Sequence, residues 1–249
     1  MSSHANPSRD PANDDSMLGM ANEILKKFLQ KVDDMLPARV VSYDRATNRA
    51  QVIPLVRVIT TANQLVERPQ VASIPVLQYG GGGFLLSFPL KPGNLGWIKA
   101  NDRDISLVLQ SYADNAPNTR RMHSFSDALF IPDVMTGYTL SEEDAENAVL
   151  QSLDGSVRVS LWADRLKLVA PGGSVVMDAT GVHIAHGVTI TLAAPTVAIV
   201  GNLAQTGGNA TMSGGLTATG EVTAAGIPLS THHHTGVVPG GGNSGGPAA

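Results

Sequence analysis

The chain has 249 residues and no cysteine. That excludes a disulfide framework and a thiolate metal site. Aromatics make up only 4% of the residues, and all eleven lie at or before Trp162. From Leu168 to Ala249 there is no Lys, no Arg and no aromatic residue, and the only charged side chains are Asp178 and Glu221. So little bulk cannot build an ordinary two-layer core alone. Net charge is −4, and no basic stripe occurs, so nucleic acid is not an expected partner. The polar N-terminus shows no positively charged leader followed by an apolar run, so no secretory signal is expected. No Gly-x-Ser-x-Gly elbow or other nucleophile motif appears. Gly80-Gly81-Gly82-Gly83 lacks the Gly-Lys-Ser/Thr of a phosphate loop and reads as a hairpin connection.

What is present is β-structure, after one helix. Residues 1–16 read as a polar arm. Over Met17 to Leu36, Leu18, Ala21, Leu25, Phe28, Val32 and Met35 follow 3-4-3-4-3 spacing and form one apolar stripe. Asp14, Asp15 and Ser16 are N-cap candidates, and Pro37 marks the end. A short coiled coil and an amphipathic helix packed on its own domain both fit that stripe. From Ala38 the period changes to two. Arg39–Tyr43 and Arg49–Ile59, joined by turn-rich Asp44–Asn48, predict a hairpin. Further strands are predicted at Val71–Leu77, Gly83–Phe88, Gly96–Ala100 and Ile105–Gln110. The set fits a five-stranded barrel of the OB type. Residues 112–150 read as irregular, with the acidic run Glu142, Glu143, Asp144, Glu146 as a solvated face. Asp102 and Asp104 flank Arg103 in a turn. They read as solvated rather than as a carboxylate pair for glycoside hydrolysis.

From Ser156 the alternation resumes through Val157, Val159, Leu161, Leu166, Leu168, Val176, Val182, Ile184, Val188, Ile190, Leu192, Val197 and Ile199. It lightens toward Leu216–Ala224. Gly187–Ala204 is uncharged, but Pro195 and its β-branched residues oppose a membrane-spanning helix. A single such ribbon leaves an apolar face and strand edges open. Three copies wound around one axis solve both problems. At about 4.8 Å per strand, stacking makes a prism on the order of 45 Å long. The predicted class is all-β: an N-terminal OB-fold barrel, then an intertwined trimeric β-helix, with one short N-terminal α-helix. The predicted divisions are 1–36 (arm and helix), 37–135 (barrel), 136–155 (linker), 156–229 (shaft) and 230–249 (apex).

His232-His233-His234 is the sharpest local feature. Imidazole is a ligand for Fe, Ni, Co, Cu or Zn. On an extended strand His232 and His234 point the same way. Around a threefold axis they make two rings of three imidazoles, an octahedral set, with His233 pointing outward. The plainer alternatives are a solvated terminal cluster or a tag remnant, and only three histidines inside a longer tail speak against a tag. Asp178, His183 and His186 do not all share a face and read as surface positions.

Three stretches resemble a known family, the central membrane-piercing spike of contractile phage tails with an OB-fold N-terminal domain. The first is Ala38-Arg39-Val40-Val41-Ser42-Tyr43-Asp44 with Gln51-Val52-Ile53-Pro54-Leu55-Val56. The second is Ile74-Pro75-Val76-Leu77 with the glycine run and Phe84–Gly96, then Asp102-Arg103-Asp104. The third is Ser126–Pro132. The resemblance implies a homotrimer, docked on the baseplate hub and tail-tube proteins and located at the baseplate tip of the virion. It implies a non-enzymatic spike driven through the host outer membrane on sheath contraction. It further implies one iron per trimer, held by His232 and His234 of each chain, with His233 at the x position of His-x-His. The competing expectation is a trimeric tail fibre or adhesin, against which stands the lack of aromatics near the tip. A tail-associated wall hydrolase would need an inserted domain, and residues 133–155 are too few.

Overall fold

The computed structural model describes residues 16–60, 64–233, 236 and 240. It divides into two compact units, one ending at Ile190 and one starting at Thr191. Each is described by itself.

The first unit opens with α1 (Met17–Leu29), whose Ser16 hydroxyl accepts the Gly19 N–H at 2.9 Å. The helix ends seven residues earlier than the apolar spacing predicts, at Leu29 rather than Leu36. Tertiary pairing is the cause. Asp33 binds Arg68 at 3.0 Å and the Phe125 N–H at 3.2 Å, and Met35 and Leu36 enter a strand opposite Lys99 and Ile98. Val32 and Met35 fit the helical period, but the sheet claims the chain first.

Five strands form the barrel: β1 (Met35–Asp44), β2 (Arg49–Pro54), β5 (Val71–Pro75), β8 (Leu95–Asn101) and β9 (Ser124–Pro132), in the order β5-β2-β1-β8-β9. Between them lie two small hairpins, β3 (Val58–Ile59) with β4 (Leu65–Val66), and β6 (Tyr79–Gly81) with β7 (Phe84–Leu86). The sheet nearly closes. Beyond β5, Val76 bridges to Phe130, and the Leu77 N–H donates to the Phe130 carbonyl at 2.8 Å. Alternate residues point inward. Ala38, Val40, Ala50, Val52, Ile74, Val76, Ile98, Ala100, Phe125, Ala128 and Phe130 make the core. Gly96 is required where it stands: a Cβ there would lie 2.5 Å from the Phe130 ring. The turn Gly82-Gly83 has φ of +58° and +90°, the geometry of a two-residue hairpin loop that favours glycine at both positions.

The fifth barrel strand is not where alternation put it. Residues predicted as a strand at Ile105–Gln110 form a short helix, α2 (Ser106–Ser111). The Asp104 carboxylate takes the Ser106 N–H at 3.0 Å, which starts a turn that Leu109 and Tyr112 continue with N–H bonds to the carbonyls of Ile105 and Val108. The strand is instead β9, inside the stretch predicted as irregular.

After the barrel comes an antiparallel meander: β10 (Ala148–Gln151), β11 (Arg158–Leu161), β12 (Leu166–Ala170), β13 (Gly173–Asp178) and β14 (Gly181–His186). β10 falls in the stretch predicted as linker.

In the second unit, the described residues from Thr191 to Val222 contain no helix and no strand. The strand pieces predicted around Ile190–Leu192, Val197–Ile199 and Leu216–Val222 form no ladder within one chain. A strand exists only where a partner accepts its hydrogen bonds, and among the described residues no strand lies opposite this stretch. β15 (Thr223–Ala224) and β16 (Ile227–Pro228) close a small hairpin over Ala225-Gly226. No helix among the described residues is long and apolar enough to cross a membrane.

Candidate assembly face and metal apex

Register sorts the β10–β14 sheet into two unlike faces. Leu150, Val159, Leu168, Val175 and Ile184 stand opposite one another across all five strands. The next row on the same face is Ala148, Leu161, Leu166, Met177 and Val182. Every residue in both rows is apolar, yet Leu150, Leu161, Met177, Val182 and Ile184 are each at least half exposed. A groove of about 470 Å³ runs over this face beside Ile190. The other face is mixed: Gln151, Arg158, Ser160, Lys167, Ser174 and His183 stand among Val149, Val169, Val176 and Ala185, and a strap latches onto it. Buried Asp144 accepts from Arg158 Nε at 2.8 Å and Trp162 Nε1 at 3.2 Å. Glu143 pairs with Lys167 at 2.8 Å and with Arg158. Lys167 first, then Arg158, holds the Glu143 carboxyl below the usual range. The acidic run is therefore not simply a solvated face. Glu142 and Glu146 are exposed, but Glu143 and Asp144 fasten the strap.

Asp104 also departs from the solvated turn predicted for it. Its side chain is fully buried. It accepts from the Ser106 N–H, from the Thr119 hydroxyl at 2.7 Å and from Arg121 at 3.1 Å. Ser106 first, then Thr119 and the Arg121 charge, holds its carboxyl well below the ordinary Asp range. Arg121 also grips Asp127 at 3.0 Å, so one guanidinium ties the loop before β9 to the barrel. Asp102 stays exposed, paired with Arg103 and His123. The two carboxylates thus occupy different environments, and Asp104 has its acceptor sites filled by its own chain.

Asp178, Thr180 and His183 meet at the β13–β14 turn. Thr180 Oγ1 donates to Asp178 at 2.6 Å and lies 3.0 Å from His183 Nε2. The hydroxyl proton goes to the carboxylate, so His183 is not its base. His186 stands elsewhere, its Nδ1 accepting the N–H groups of Val188 and Thr189 at 3.1 and 3.3 Å. The two histidines are three positions apart on β14 and so sit on opposite faces.

The apex residues lie in the second unit. β15 and β16 form a hairpin over Ala225 (φ +50°) and Gly226 (φ +82°). Glu221 accepts the Ser230 N–H at 3.1 Å and the Ser230 hydroxyl. Those two bonds, the hydroxyl first, hold its carboxyl below the usual Glu range. His232 follows, its Nδ1 at 2.8 Å from the Leu229 carbonyl. A ring N–H donated to a backbone carbonyl is the usual outer partner of a metal-ligating histidine. His233 is exposed, and His234 lies outside the described residues. Among the described residues, no group of three or more His, Cys, Asp or Glu gathers as a metal set. The second ligand assignment, His234, thus has no geometry here. Alternation of sequence pointed to Val159, Leu161, Leu166, Leu168, Val182 and Ile184 in these rows, but it picked Val176, which the register places on the latched face; Val175 and Met177 complete the rows. Nothing in the sequence singled out Glu221 as an anchor beyond its being the only acid after Asp178.

Residues 36–133 match a family model described as the phage protein Gp138 N-terminal domain. That span is the barrel, and it is well under half of the chain. The match supports a structural protein of a bacteriophage and a virion-associated location, on a barrel-like all-β domain. No curated protein matches the chain.

Proposed function

We propose that the chain is a non-enzymatic, cell-puncturing spike at the tip of a contractile phage tail, acting as a homotrimer. One observation carries the reading: ten apolar side chains stand in two aligned rows on one face of β10–β14, and five of them are at least half exposed. Such a face is unstable in water, and other copies of the same ribbon are its simplest cover. The exposed apolar residues of the second unit, among them Leu192, Val200, Leu203 and Leu216, pose the same demand. With three chains, the unpaired strand pieces gain ladder partners and the rows become a shared core. From Leu168 onward the chain has only two charged side chains, Asp178 and Glu221, so that part meets little desolvation cost when driven into hydrocarbon. The barrel serves as the collar on the baseplate hub, in line with its match to a phage protein domain.

At the apex, His232 and His234 of each chain would hold one transition-metal ion, iron by the family resemblance. Bound there, a metal supplies a cross-link among three chain ends. His232 contributes an imidazole already oriented by Leu229.

The test is native mass spectrometry of the full chain, followed by a vesicle-leakage assay under applied force or centrifugal loading. A trimer with one metal ion that breaches lipid vesicles supports the spike. A trimer that instead binds intact host cells with saturable affinity and leaves vesicles sealed supports a fibre. A monomer overturns both.

A further inference from the structure

The two sides of α1 are exposed in the wrong order for a helix packed on its own chain. At about 100° per residue, Met17, Leu18, Ile24, Leu25, Phe28 and Leu29 fall in one arc of about 140°, with Ala21 inside it. Each of the six is 58% to 90% exposed. Across the helix Gly19 is buried, and the Glu23 side chain, paired with Lys26 at 3.4 Å, is only 16% exposed. The covered side is thus the polar one. The link to the barrel leaves no slack for the arc to turn back onto it. Gln30, Lys31 and Val32 donate their N–H groups to the carbonyls of Lys26, Phe28 and Leu29. Asp33 is then pinned by the His123 carbonyl and by Arg68, each at 3.0 Å.

We infer that α1 is a second assembly surface, and that its occupant is α1 of two further copies of this chain, in a parallel three-helix bundle. Width selects the number. A two-stranded coiled coil buries a narrow seam, here Leu18, Ala21, Leu25 and Phe28. The arc also takes in Met17, Ile24 and Leu29 on its flanks, and a helix that faces two neighbours buries such flanks. Area agrees with this. The six side chains expose on the order of 800 Å², about what one partner gives to a standard protein interface. Lys26 and Lys27 lie outside the arc, so no cation enters the bundle. A helix of 13 residues, about 20 Å long, is marginal in water by itself, so association is what stabilises it. Cyclic symmetry makes the three helices run in one direction. The bundle rests on the homotrimer of the proposed spike, in which the β10–β14 faces hold the three copies together.

The chain has no cysteine, so a single introduced thiol reports its own position. Leu18→Cys, Leu25→Cys and Lys27→Cys are each made in the full chain, weighed by native mass spectrometry and treated with a short bismaleimide. Leu18→Cys and Leu25→Cys are expected to stay trimeric and to form covalent dimers several-fold faster than Lys27→Cys, whose thiol lies away from the axis. A trimer in which Lys27→Cys cross-links as fast as the other two overturns the bundle and leaves the homotrimer standing. A monomeric wild type overturns the homotrimer and the bundle with it. Hydrogen exchange of the unsubstituted protein is the second readout. In the bundle the α1 amides should exchange about tenfold or more slowly than random coil. Random-coil exchange in a trimer overturns the bundle. So does protection that appears only when phosphatidylglycerol vesicles are added, an outcome that gives the arc to a lipid surface instead.

Discussion

The barrel of β1, β2, β5, β8 and β9 and the sheet of β10–β14 are both five-stranded, antiparallel and built on alternation, yet they end in opposite states. The barrel curls until Val76 bridges Phe130, and its inward side chains vanish from solvent. The later sheet is an open meander, and its apolar rows stay exposed. Composition separates them. The barrel has Phe125 and Phe130 to fill its centre and Gly96 to let a ring in. The later sheet offers Val, Leu, Ile and Met on that face, with no aromatic ring among them, and five of those side chains are at least half exposed. Aromatics supply large buried areas per residue, and in the proposed trimer a region without them would complete its core by repetition.

The hardest blow to this contrast is a charge in the middle row of the open sheet. Leu168→Asp should convert the assembled protein to monomers, read by sedimentation velocity, because an unpaired carboxylate in a shared apolar core costs several kcal/mol per chain. The barrel should keep its fold. Phe130→Ala should do the reverse, destabilising the barrel by about 3–5 kcal/mol in denaturant titrations followed at Trp97, with the oligomeric state unchanged. Asp144→Ala tests whether the strap is needed. It strands Arg158 and the Trp162 N–H, and should lower the stability of the sheet by about 3 kcal/mol in melts followed at Trp162.

Acid should tell the regions apart more gently. The Asp104 carboxyl is depressed in the folded chain, so its contribution is fully present above the ordinary Asp range, near pH 4, and fades as pH falls below it. Hydrogen exchange should show residues 112–123 loosening below about pH 4. In Asp104→Asn the loop should be looser at neutral pH and less sensitive to acid. The smallest effect is expected at the β6–β7 turn, where Gly82→Ala places a side chain at φ +58° and should cost about 1 kcal/mol in thermal melts.

Much of the barrel was legible because its signals are local. Asp44–Asn48 is a turn by residue type, and β2 and β8 alternate cleanly. What escaped was decided by distant partners. Val32 and Met35 keep the helical period, yet Asp33, Arg68 and Lys99 set the chain into the sheet. Ile105 and Val108 look β-prone, but the Asp104 carboxylate begins a helix at Ser106. Asp144 looked like one acid in a run of four, and only the fold brings Arg158 and Trp162 to it. The candidate apex divides in the same way. The histidines announce themselves by their repetition, while Glu221 gains its place only through a hairpin that brings Ser230 back to it.

The latched face of the β10–β14 sheet has a consequence for where association stops. A sheet with two sticky sides stacks without end, as fibrils do. Here Glu143 and Asp144 occupy one side with ion pairs to Arg158 and Lys167, so the opposite side is the more apolar one. In the proposed trimer those apolar sides would meet around an axis, and the latched sides would face away from it. The strap is in this sense a terminator of growth, and Asp144→Ala would then reveal itself as turbidity as well as lost stability.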